Sequence, residues 1–147
     1  MTTQELIKPT TEELFAGAVG NYNALVFATL DFLNLHQIPA LEYAHFVGKQ
    51  HAETWTLGMT AFELAQGMAF NFMSVGAKLE ALGGDEHESH LVITGWPNLE
   101  LLAASSGRLE EVDQFTQLVS KIAERQNFSF EMTRQGDQVE VHFETRK

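Results

Sequence analysis

Cysteine is absent from this chain, which rules out a disulfide framework, a thiolate nucleophile and any zinc site built on cysteine. Positive charge is scarce: nine Lys and Arg stand against twenty Asp and Glu, for a formal charge of −11 at pH 7. The cations are scattered singly, apart from Arg146-Lys147. An acidic surface with no basic cluster repels phosphate backbones and anionic lipid headgroups, so neither nucleic-acid binding nor membrane attachment is expected. Long apolar runs are missing too. The densest, "ALVFATL" from Ala24 to Leu30, is too short to cross a bilayer, and "MTTQELIKPTTEE" holds no apolar core of a secretory signal. A cytoplasmic protein is the expectation. Glycine-rich phosphate loops do not occur, and Ser105-Ser106-Gly107 lacks the strand-to-helix setting of a nucleophile elbow.

What is present suits one folded unit. With 147 residues, 44% of them hydrophobic, residues 1–147 make a single domain able to bury a sizeable core. Thr10 followed by Glu13 is a capping box, and apolar residues recur at helical spacing from Phe15 to Leu33. Leu14, Ala28 and Phe32 widen that stripe, which predicts a helix to about Leu35 that is buried over much of its girth. Pro39 opens a second helix to about Trp55, stopped by Gly58. Thr60 and Glu63 form another capping box, and the periodicity that follows predicts a third helix running as far as Leu82, before Gly83-Gly84. "SHLVITGW" then alternates as a strand. Asn98 caps the short "LELLAA", a helix with Leu109, Val112, Phe115, Leu118, Val119 and Ile122 on one face follows, and residues 128–143 form a hairpin around Gly136-Asp137. The predicted class is α+β: N-terminal helices packed on a small antiparallel sheet, in the order α-α-α-β-α-α-β-β.

Two histidine-containing stretches invite a metal reading. In "LEYAHFVGKQHAETW", Ala44, Gly48 and Ala52 form one line of the second helix, a slim face that lets another helix approach closely. His45 and His51 fall on opposite borders of that line, roughly 120° and about 9 Å apart, and cannot ligate one ion together. Glu42 and His45 share a face as an E-x-x-H motif, but a carboxylate-bridged site needs a second copy, and none exists. In "GGDEHESH", His87 and His90 sit among Asp85, Glu86 and Glu88, the composition of an ordinary solvated loop. No metal and no cofactor is expected.

The third helix is unusual in another way. From Leu64 to Ala77 it holds no charged residue, as a core helix, a homodimer face or a pocket wall would. Asn71 and Ser74 lie within that stretch and require polar partners or water. If the slim face of the second helix meets Ala65, Ala69 and Gly76 of the third, the pair should splay where Trp55, Met68 and Phe72 enlarge it. An apolar pocket is expected there, with His51, Trp55, Met68, Asn71, Phe72 and Ser74 as its ligand-binding wall and polar anchors.

The pieces "HLVITGWP", "LEEVDQFTQLVSKIAE" and "FSFEMTRQGDQVEVHFE" resemble, in element order and turn placement, the C-terminal part of the 4-vinyl reductase type of small-molecule-binding domain. About 60 residues are involved, and that family's cysteines are missing, so no cysteine-dependent chemistry carries over. The resemblance implies a domain that binds a hydrocarbon-like or other small ligand, often as a dimer. The leading expectation is therefore a homodimeric binding domain for an apolar or amphipathic small molecule, more a binder than an enzyme. Two alternatives stand beside it: a helical metal-dependent hydrolase or transferase resembling the DinB-like enzymes, drawing on His45, His51, His87, His90 and Glu42, and a dimeric scaffold without ligand.

Overall fold

A computed structural model describes residues 8–147. The chain is α+β, with helices gathered on one face of a four-stranded antiparallel sheet. Helix α1 (Thr11–Leu35) and helix α3 (Ala61–Ser74) each begin with the complete capping box that their sequences announce, at Thr10/Glu13 and Thr60/Glu63. Between them lies α2 (Ala40–Ala52), opened by Pro39. The sheet comprises β1 (Lys78–Gly84), β2 (Glu88–Thr94), β3 (Phe128–Gln135) and β4 (Gln138–Thr145), in the spatial order β1-β2-β4-β3. Three short helices, α4 (Leu99–Ala104), α5 (Leu109–Thr116) and α6 (Leu118–Arg125), connect β2 to β3.

Alternation along the two central strands sets the core. Leu91, Ile93, Val139, Val141 and Phe143 are fully buried on one face, each contributing roughly 1.5–3 kcal/mol relative to an exposed side chain. Their neighbours His90, Glu140, His142 and Glu144 point to the other face. Helix α3 lies on β1 and β2 through Leu64, Ala65, Met68, Ala69 and Phe72. Asn23 of α1, completely buried, ties three segments together. Its amide donates to the carbonyls of Val19 and Val75, and its oxygen accepts from the Asn98 N–H.

Four details depart from the sequence expectations. The third helix stops at Ser74, not Leu82. Gly76 takes φ +101°, Ala77 donates to the Phe72 carbonyl and Gly76 to that of Met73, the paired bonds of a glycine-terminated helix. Residues 78–84 then form β1, a strand absent from the predicted order. Its bulge explains the misreading: Leu79 pairs with Ile93 and Leu82 with Leu91, so two leucines three apart both face the core, imitating helical spacing. The helix expected from Leu109 to Ile122 is broken at Gln117 into α5 and α6. Finally, α1 is not buried around its girth. Asn23, Val26, Phe27, Leu30 and Leu33 face inward, but Leu14, Phe15, Leu25, Phe32 and Leu35 are exposed.

The slim face of α2 also has a different partner from the one expected. Gly48 abuts α6, where a methyl group would overlap the Leu118 carbonyl oxygen and press on Lys121. Helical spacing identifies the face correctly but not the helix it meets.

Candidate functional site

The segment after α2 is held by a few side chains. Thr54 donates to the His51 carbonyl at 2.7 Å, turning the chain away from the helix axis. Gln126, buried at the end of α6, donates to the Thr56 carbonyl at 2.7 Å and accepts from the Met59 N–H at 3.3 Å. Between these anchors the outer edge of the Trp55 ring lies against Gly67 of α3. A β-carbon at Gly67 would stand 2.7 Å from the indole, so only glycine leaves room for it there.

A second tryptophan approaches from the end of β2. Trp96 is buried, and its indole N–H donates to the Thr116 hydroxyl at 3.1 Å. That hydroxyl donates in turn to the Val112 carbonyl at 2.8 Å, a back-bond that bends helices. It lies one residue before Gln117, where α5 gives way to α6. Arg134, paired with Asp113, donates to the Trp96 carbonyl at 2.7 Å and fixes the backbone of this residue. Tyr22 of α1 packs on the Trp96 ring with centroids 5.9 Å apart. Burial raises the pKa of the Tyr22 phenol, with Tyr43 adding to the effect, so the group stays neutral.

These groups enclose a cavity of about 660 Å³, within the range of roughly 300–1,000 Å³ typical of small-molecule sites. His51, Trp55, Met68, Asn71, Phe72 and Ser74 all border it. The sequence pattern puts the space between α2 and α3. Instead, α3 supplies one wall, the segment after α2 a second, and α5 with α6 a third, through Phe115, Thr116, Val119 and Ile122. Tyr22, Met59 and Trp96 complete it, and the pattern points to none of these. Trp96 has one visible cue, an aromatic residue joined to Pro97 at the end of a strand.

Polarity is distributed unevenly. Met68, Phe72, Trp96, Phe115, Val119 and Ile122 are buried, whereas His51, Thr54, Asn71 and Ser74 are exposed. Ser74 donates to the Asn71 carbonyl at 2.6 Å. Among the described residues no Asp, Glu, Lys or Arg borders the cavity. His51 accepts the Thr54 hydroxyl at its carbonyl, and among the described residues its ring makes no hydrogen bond.

The remaining histidines do not assemble. His45 opens onto a different, shallower depression beside Leu109, Asp113 and Met132. His87 pairs with Glu86 at 3.0 Å, while His90 sits on the outward face of β2 opposite His142. Among the described residues no three His, Cys, Asp or Glu side chains are grouped to hold one ion. The "GGDEHESH" loop instead seats a helix. Asp85 accepts from the His87 and Glu88 N–H groups, and the carbonyls of Asp85 and Glu86 receive the Phe62 and Ala61 N–H groups at the start of α3. No family model matches the chain, and no curated protein does.

Proposed function

We propose that this chain is a small-molecule-binding domain that takes an uncharged apolar or amphipathic ligand in the Trp55–Trp96 cavity and works as a homodimer. The observation that carries the ligand class is a space of about 660 Å³ that no ionic side chain among the described residues borders, in a chain of charge −11. An ionised carboxylate entering it would lose water without gaining a fixed cation, against the field of an acidic protein. A neutral molecule meets neither penalty. Its apolar body would fill the space between Phe72, Phe115 and Ile122, and a hydroxyl, carbonyl or amide would remain near His51, Asn71 and Ser74. The resemblance to the 4-vinyl reductase type points toward the same kind of ligand. Nothing in the histidine geometry favours the metal-dependent enzyme.

The chain's two tryptophans both border the cavity, so intrinsic fluorescence reports on it directly. The neutral dye N-phenyl-1-naphthylamine should bind saturably and quench that emission, while a long-chain fatty acid at neutral pH should compete poorly. Gly67→Ala should push the Trp55 ring from its place and weaken dye binding, with far-UV circular dichroism unchanged. Non-saturable partitioning with no tryptophan quenching would end the proposal, and strong competition by the fatty acid would replace its ligand class.

A further inference from the structure

We propose that the outward face of α1 is the contact between two copies of this chain, laid antiparallel along one another. The inference rests on the homodimer reading above and supplies the surface that reading lacks. Residues 14, 18, 21, 25, 28, 32 and 35 follow alternating steps of four and three, the spacing of a coiled-coil seam. They are Leu14, Ala18, Asn21, Leu25, Ala28, Phe32 and Leu35, and every one is exposed. Leu14, Leu25, Phe32 and Leu35 are 59%, 64%, 58% and 80% exposed. This seam lies on the side of the helix opposite the inward set Asn23, Val26, Phe27, Leu30 and Leu33. Soluble surfaces rarely leave so many large apolar side chains in one line.

Area, charge and local stability agree on a second copy as the occupant. The four large seam side chains together offer on the order of 500 Å² per copy, so a self-pair would bury about 1,000 Å², the area a specific interface must clear. Helix α1 carries Glu12, Glu13 and Asp31 but no Lys or Arg. A parallel pair would align the two helix dipoles and bring the Glu13 carboxylates of both copies to the same end. An antiparallel pair separates them, placing each Glu12–Glu13 end beside the partner's His36 and opposing the two helix dipoles. In that arrangement Leu14 meets the partner's Phe32, Ala18 the partner's Ala28 and Asn21 the partner's Leu25. Moreover, residues 11–18 are exposed on all sides among the described residues, and both Gly17 and Gly20 face open space. Two exposed turns of helix with a glycine inside them have little packing of their own among the described residues. The partner's C-terminal half of α1 would supply it.

Light scattering at micromolar concentration should give twice the 16.4 kDa chain mass for the wild type. Leu25→Glu, at a position 64% exposed, should give the single-chain mass and keep the cooperative urea transition of the core, with any loss of helical circular dichroism no larger than the first two turns of α1. Because the chain has no cysteine, single introduced thiols report orientation cleanly. Mixed Leu14→Cys and Phe32→Cys chains should cross-link to each other, and Leu14→Cys alone should not. A monomeric wild type would remove the homodimer reading itself. A dimer that survives both Leu25→Glu and Phe32→Glu would remove only the α1 seam, and self-cross-linking of Leu14→Cys would overturn the antiparallel arrangement.

Discussion

The cavity wall and the outward face of α1 are built from similar apolar side chains, yet water meets them differently. Around the cavity, Phe72, Trp96, Phe115 and Ile122 come from separate elements and turn inward around a concave space. On α1, Leu14, Leu25, Phe32 and Leu35 come from one element and stand along a straight, convex line. A concave apolar surface can be satisfied by a small molecule surrounded on most sides. A convex one presents ridges that only another extended surface can cover, and a helix with matching spacing does so best. Composition alone does not separate the two cases; curvature does.

Truncating one phenylalanine from each surface should separate them most clearly. Phe72→Ala empties a buried position, 6% exposed, and should cost about 3–5 kcal/mol in urea unfolding. Phe32→Ala, 58% exposed, should change the unfolding free energy of the dilute monomer by less than about 0.5 kcal/mol. Equal losses would mean that the two surfaces are not distinct in kind. A smaller effect is expected at the tie behind the cavity. Thr116→Val removes the acceptor of the Trp96 indole N–H and should cost roughly 1–3 kcal/mol, accompanied by a change in tryptophan emission. Unaltered stability and emission would show that this bond neither holds the ring nor shapes the wall.

The least change is expected at the loop that seats α3, away from both surfaces. Backbone hydrogen bonds from His87 and Glu88 lower the Asp85 pKa. A carboxyl whose folded pKa lies below its unfolded value stabilises the fold above the ordinary aspartate range, and that contribution is lost as pH falls through the lowered value. The difference in urea midpoint between wild type and Asp85→Ala should therefore be present at pH 7 and shrink as the solution is acidified below about pH 4. A difference independent of pH would assign the loop's order to its backbone alone.

Much of this fold is legible locally. Thr10/Glu13, Thr60/Glu63 and Gly136-Asp137 mark element boundaries through bonds that span three or four residues, and the α+β class follows from them. Strand β1 is hidden because its bulge gives Leu79 and Leu82 the spacing of a helix. Gly76 carries the missing signal, since a glycine ending an apolar stripe can close a helix as well as continue it. For the cavity, the uncharged run of α3 draws attention to Met68, Asn71, Phe72 and Ser74. Tyr22, Trp96 and Phe115 cannot be found in this way, because they arrive from elements far apart in sequence. The same limit assigns the slim face of α2 to α3 when α6 receives it: periodicity fixes which side of a helix is covered, and only the assembled chain fixes by what.

The bulge in β1 has a consequence beyond concealing the strand. With the order β1-β2-β4-β3, strand β1 is one of two edges of an open sheet, each carrying a row of backbone groups that could recruit a strand from another molecule. The irregularity between Leu79 and Ala81 interrupts that row and increases the local twist, and Lys78 and Glu80 place charges beside it. A flat incoming strand finds no continuous register to follow along this edge. The residue insertion that makes β1 look helical in sequence thus also discourages the sheet from growing, leaving association to faces built from side chains.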